Sequence, residues 1–197
     1  MTLVIALMSL VLLSAIGGSL AIVMNTDQRA AANFAASREA LYAADGALQI
    51  GAQELSTMPD WNVLLSSGAL SVFVDGPPMG TRQLGDGTTV DLVEATNTAN
   101  AEPRPWGADT PVWRLFAFGW IGTRTYVIVW VGDDFAENDG DPSTDGGGPA
   151  NPGAGILALR AEAFGVGGSH RILEATVERK ADAGPGVRVL SWQELRW

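Results

Sequence analysis

The chain has no cysteine, which removes disulfides, thiolate metal sites, haem attachment and cysteine nucleophiles together. Histidine occurs once, at His170, so any catalytic triad would have to use that residue. Basic residues are scarce: 12 Lys and Arg stand against 22 Asp and Glu, giving a net charge of −10. That balance argues against nucleic acid or anionic lipid as the main partner. Proline is missing before Pro59, and charge of either sign is missing from the first 24 residues, "MTLVIALMSLVLLSAIGGSLAIVM". What is present in excess is glycine, 24 residues, and tryptophan, 7 residues, the mark of a turn-rich β domain packed with aromatics. At 197 residues the chain suits one globular domain with an extension.

The uncharged opening has no basic residue before Arg29 and is too long for the apolar core of a cleavable secretory signal. As a helix it would span about 36 Å, enough to cross a bilayer core of about 30 Å, so the plain reading is a one-pass membrane anchor. The helix-forming pattern does not stop there. From "NTDQRAAANFAASREALYAADGALQIGAQELS" a stripe emerges at Ala30, Phe34, Leu41, Ala44, Leu48, Ala52 and Leu55, mostly at steps of three or four. The spacing predicts one helix over about residues 2–55, apolar all round in its first half and amphipathic in its second. Phe34, Leu41, Leu48 and Leu55 are its expected contacts with the head. Gly17-Gly18 either marks a kink or melted turn, at about 1 kcal/mol per glycine relative to alanine, or permits close helix–helix approach.

A long helix, apolar and then amphipathic, leading into a β-rich head resembles a type IV pilin, and the PilX-type branch in particular. "ALYAADGAL" stands where that branch carries an alanine-rich motif, and "ENDGDPSTDGGG" with "ILALRAEAFGVGGSHRILEATVERK" resembles its tail. The likeness covers roughly residues 1–50 and 131–180; residues 56–130 do not carry it. The resemblance implies a subunit made with a short basic leader, cleaved and then methylated at its new terminus. Met1 then reads either as that processed terminus or as an initiator. Most pilins hold glutamate at the fifth mature position, where it pairs with a neighbour's amine; here the residue is Ile5, and PilX-type relatives often lack the glutamate too. A buried amine would then need a backbone carbonyl near Gly17-Gly18 or the hydroxyl of Thr2 or Ser9.

After "STMPDW" the pattern changes to alternation and short apolar runs between Gly, Pro and Asp. Strands are expected at 69–74, 88–94, 111–121, 123–131, 155–163, 169–179 and 187–194, with loops at 75–87 and 95–110. The expected fold class is α+β: a long N-terminal helix (1–55) packed on an antiparallel sheet in a β-rich head (56–197).

Candidate sites are few. "DDFAENDGDPSTDGGG" gathers Asp133, Asp134, Glu137, Asp139, Asp141 and Asp145, hard oxygen donors on a glycine-rich loop of the kind Ca²⁺ takes. Asp134, Glu137, Asp139, Asp141 and Asp145 are its candidate ligands; the spacing is not an EF-hand, and the plainer reading is a solvated acidic loop. Ser169 and His170 are adjacent on a predicted strand and so point to opposite faces, which leaves His170 as an exposed hairpin residue. The tryptophans are expected in core or subunit contacts.

Taken together, the resemblance implies a non-enzymatic filament subunit, with no required cofactor. It would polymerise through Met1, Leu3, Ile5, Leu7, Leu10, Leu13, Ile16, Gly17, Gly18, Leu20 and Val23, with copies of itself and other pilins as partners. The same segment would sit in the inner membrane before assembly and in the core of a cell-surface filament afterwards. The competing reading is a non-polymerising, membrane-anchored periplasmic binding module.

Overall fold

The helix-forming stretch is followed by no proline until Pro59, and it folds as a single α-helix, α1 (Thr2–Leu55). In this computed structural model residues 1–102, 112–137, 140–146, 155–180 and 186–195 are described. They divide into two compact units, Met1–Ala36 and Ser37–Trp197. The first unit is the N-terminal part of α1 alone. It continues helical through Gly17-Gly18 with no melted turn, and a Cβ at either glycine would meet nothing within 4 Å. Phe34, expected to face the head, belongs to this unit and is 66% exposed.

In the second unit the rest of α1 lies on a five-stranded antiparallel sheet. Its strands are β3 (Arg114–Ile121), β4 (Thr125–Asp133), β5 (Ile156–Phe164), β6 (His170–Arg179) and β7 (Val187–Leu195), in chain order. Before them come α2 (Asn62–Ser67), a two-stranded ribbon of β1 (Thr81–Gln83) and β2 (Thr89–Asp91), and α3 (Leu92–Ala101). A tight turn joins β3 to β4 at Gly122, whose φ of 66° lets the hairpin close.

Alternation along each strand sorts the core into two layers. Val127, Val129, Val131, Leu157, Leu159, Ala161 and Leu173 face α1. Tyr126, Ile128, Trp130 and Ala158 face the other way, where Leu92 and Ala99 of α3 cover them. The interior strand β4 is therefore buried along its whole length, unlike a sheet with one wet face. Against this sheet α1 buries Ala40, Ala43, Ala44, Ala47, Leu48, Gly51 and Leu55, while Leu41 and Ala52 are partly buried at the margin. Leu48 and Leu55 thus sit where expected, but the contact stripe is centred about one position away, on small residues. The helix ends where the Trp61 indole N–H donates to the Leu55 carbonyl (3.1 Å), with the Arg179 guanidinium 4.2 Å over the Trp61 ring.

Four expectations fail. Residues 69–74 form no strand: the segment runs along β3 through Ser71 N–H to Phe116 O (2.8 Å) and a parallel bridge of Val74 to Phe118. The strand expected at 88–94 is β2 for three residues only, because Asp91 accepts from Val93 and Glu94 N–H (2.9 and 3.0 Å) and starts α3. The loop expected at 95–110 is accordingly helical to Ala101, and the one at 75–87 contains β1; residues 103–111 lie outside the described residues.

A Cβ at Gly51 would meet Val129, Leu159 and Phe116 at ordinary contact, 3.6 to 3.8 Å. Gly51→Ala is expected to stabilise by up to about 1 kcal/mol through helix propensity, whereas Gly51→Leu overfills the contact and costs about 1–3 kcal/mol. Thermal melts followed by tryptophan fluorescence, on the full chain in detergent, check both signs.

Candidate functional site

The apolar half of α1 is chemically uniform. Met1, Leu3, Ile5, Leu7, Leu10, Leu13, Ile16, Leu20 and Val23 are all exposed, as are Gly17 and Gly18. Among the described residues α1 is the one helix long and apolar enough to cross a membrane. Two of its hydroxyls bond within the helix, Ser9 donating to the Ile5 carbonyl and Ser19 to that of Ala15 (both 2.9 Å), and Thr26 just beyond donates to Ile22 (3.0 Å). Ser9 is thereby already committed to a local bond.

The acidic loop after β4 is organised around its own backbone. Asp141 is exposed and accepts from Ser143 N–H (3.1 Å). The Asp145 carboxylate accepts from Gly155 N–H (2.8 Å), and its backbone N–H donates to Asn62 (2.7 Å). Asp133, Asp134 and Glu137 are buried. Asp139 lies outside the described residues. Among the described residues no three carboxylates or imidazoles are grouped as a metal ion requires, so nothing observed supports calcium there. Instead, burial and the adjoining Glu137 carboxyl push Asp133 up to about 9. Burial also raises Asp134 and Asp145.

A second charged cluster was not anticipated. On the sheet face away from α1, Arg160 of β5 is fully buried. Its Nε donates to Glu162 (3.0 Å), its Nη1 to Glu102 (2.6 Å) and Glu174 (3.3 Å), and its Nη2 to Glu102 (2.9 Å) and Glu162 (2.7 Å). That accounts for all five guanidinium N–H groups. Glu102 caps the C-terminus of α3, so the arginine ties that helix to the sheet. Burial opposes ionisation of Glu162, but hydrogen bonds and charge from His170 and Arg160 outweigh it and hold the carboxyl below its ordinary range. The available signal was "ALRAEA", where Arg160 and Glu162 fall on the same face of a strand at otherwise apolar positions.

Beside this cluster, β2 and α3 leave a cavity of about 340 Å³ lined by Asp91, Glu94, Thr98, Glu162, Phe164 and His170. His170 Nε2 lies 3.0 Å from Glu162 Oε2, and its ring stacks on Phe164 at 4.6 Å. The residue expected as a plain hairpin position is therefore held on two sides. Of the tryptophans, Trp61, Trp113 and Trp130 are buried, Trp120 and Trp192 are partly exposed, and Trp106 and Trp197 lie outside the described residues.

No protein-family model matches the chain, and no match is found among curated proteins or solved structures.

An unfolded aspartate titrates near 3.9. Between there and about 9 the folded chain keeps a proton on Asp133 that the unfolded chain has lost, so stability falls as pH rises across that window. Asp133→Asn is expected to flatten the decline by up to about 1.4 kcal/mol per pH unit, read from denaturant titrations between pH 5 and pH 8. Arg160→Leu leaves three carboxylates at a buried site and should cost about 3–5 kcal/mol. Arg160→Lys keeps the charge but not the planar fork, and its melting temperature should fall between those of the other two proteins.

Proposed function

We propose that the chain is a structural subunit of a type IV pilus-like extracellular filament, polymerising through the apolar half of α1. The observation that carries this reading is a helix of 54 residues whose first 24 positions have no charge and whose large aliphatic side chains are exposed. Such a surface is stable where water is absent. A bilayer supplies one such place and a bundle of identical helices another, so the segment exchanges lipid for its own copies. In lipid there is no hydrophobic drive between helices, and association depends on close approach, which Gly17-Gly18 would allow. The head, with its acidic composition, would form the filament surface, and the protein would be non-enzymatic. Methylation of the terminus and a cell-surface location belong to the same proposal.

The second reading is a membrane-anchored periplasmic binding module that does not polymerise; the cavity beside His170 is the feature that favours it. Deletion of residues 1–28 separates the two. A filament subunit loses incorporation into sheared surface filaments, whereas a tethered receptor loses only its tether. Leu13→Arg should act like the deletion, since a charge at the centre of an inserted helix costs about 2.5–3.5 kcal/mol. Immunoblots of purified filaments read both variants. Wild-type filaments that lack the chain under every growth condition would end the first reading.

A further inference from the structure

A second cavity, of about 280 Å³, lies between α3, β3 and the chain around Leu70 and Pro78. Its wall is mostly apolar: Leu70, Pro78, Val93 and Leu115 line it, and Val93 remains 48% exposed. The lining contains no acidic residue, although the chain carries a net charge of −10. Helical spacing on α3 accounts for that. Asp91, Glu94 and Thr98 line the cavity beside His170, whereas Val93, Thr96 and Asn97, three and four residues apart, line this one. The formal charge on the wall is therefore the Arg114 guanidinium alone. Its Nε donates to the Leu65 carbonyl near the end of α2 (3.0 Å), which anchors the side chain. Its four Nη hydrogens meet no acceptor among the described residues. Arg82, Arg160, Arg171 and Arg188 each pair with a carboxylate, and among the described residues Arg114 pairs with none.

The other polar groups of the wall differ in what they can offer. Thr96 Oγ1 is committed, since it accepts from Trp130 Nε1 (2.9 Å) and donates to the Leu92 carbonyl (2.8 Å). The Asn97 amide is exposed and makes no side-chain hydrogen bond among the described residues, so it can add a donor. A cationic fork beside apolar walls selects an anion that is flat at one end and apolar at the other. A carboxylate matches two parallel N–H groups of a guanidinium. Phosphate sites draw instead on several converging backbone N–H groups, and this wall offers one fork and one amide. The volume falls just under the range of roughly 300–1,000 Å³ that takes drug-sized ligands, so the apolar body must be short. We infer that this cavity binds a small aliphatic carboxylate through Arg114. The inference concerns the head alone and rests on neither reading of the apolar half of α1.

Isovalerate serves as the probe, titrated by saturation-transfer NMR against the full chain in detergent micelles, with empty micelles as the blank. Its binding should saturate. Isovaleramide, which lacks the charge, should bind at least about tenfold more weakly. Acetate, which lacks the apolar body, should also lose at least about tenfold, and inorganic phosphate should not compete. Arg114→Gln should abolish the saturable signal. Because that change also removes the bond to Leu65, Asn97→Asp provides the second variant. It sets a carboxylate on the wall at an exposed position, so the melting temperature should stay unchanged while isovalerate weakens about fivefold. A signal no larger than the blank, equal binding of isovaleramide, competition by phosphate, or unchanged affinity in Asn97→Asp would each overturn the assignment.

Discussion

A helix lies as near to a sheet as its side chains permit, and in the second unit that limit is set by methyl groups and one bare Cα. Ala40, Ala43, Ala44, Ala47 and Gly51 of α1 meet Val127, Val129, Leu159 and Ala161, bulky on the sheet and small on the helix. Small residues save side-chain entropy and let dispersion contacts run close to the backbone. They also leave little slack, since an interior at crystal-like density registers even one added methylene. The head is built outward from this contact: β4 is covered on both faces, and everything on its far side is placed by the position the helix gives the sheet.

On that far side the problem is different, because charge is buried with the apolar residues. Burying Arg160 with three glutamates carries a desolvation penalty that the ion pairs do not automatically repay. What the cluster does supply is direction. A guanidinium accepts partners only in its plane, so it fixes α3 against β5 and β6 in one orientation, as unspecific apolar packing would not. The same placement brings Asp91 and Glu94, at the start of α3, over His170 and Phe164, and so creates the cavity. The structural cluster and the cavity thus share Glu162, which accepts from Arg160 through one oxygen and meets His170 through the other.

The apolar half of α1 obeys yet another rule. Its backbone groups are bonded within the helix and the Ser9 and Ser19 hydroxyls turn back onto carbonyls one turn earlier, so it has few polar demands on its surroundings. Such a segment is indifferent to whether lipid or protein surrounds it. That indifference is the physical basis of the filament proposal, and equally of the simple anchor.

Local patterns were readable because they depend on local physics. The 3.6-residue spacing from Ala30 to Leu55 and the helix-forming composition gave α1 to within a residue, and alternation gave five strands of the main sheet. The missed helix α3 was also locally encoded: "DLVE" is an N-cap aspartate with glutamate three residues on, masked by the β-branched run before it. The acidic loop shows the opposite case, where a striking composition left the fate of each carboxylate undecided. Whether Asp133 is buried beside Glu137 or Asp141 sits in water depends on which strand ends nearby. Sequence by itself determined the long helix, its uncharged half and the antiparallel strands. Tertiary structure alone decided that small residues would carry the helix contact and that Arg160 would meet Glu102, Glu162 and Glu174. The reason is that these contacts depend on sheet register and on a helix arriving from 58 residues away in sequence, which no short-range periodicity encodes.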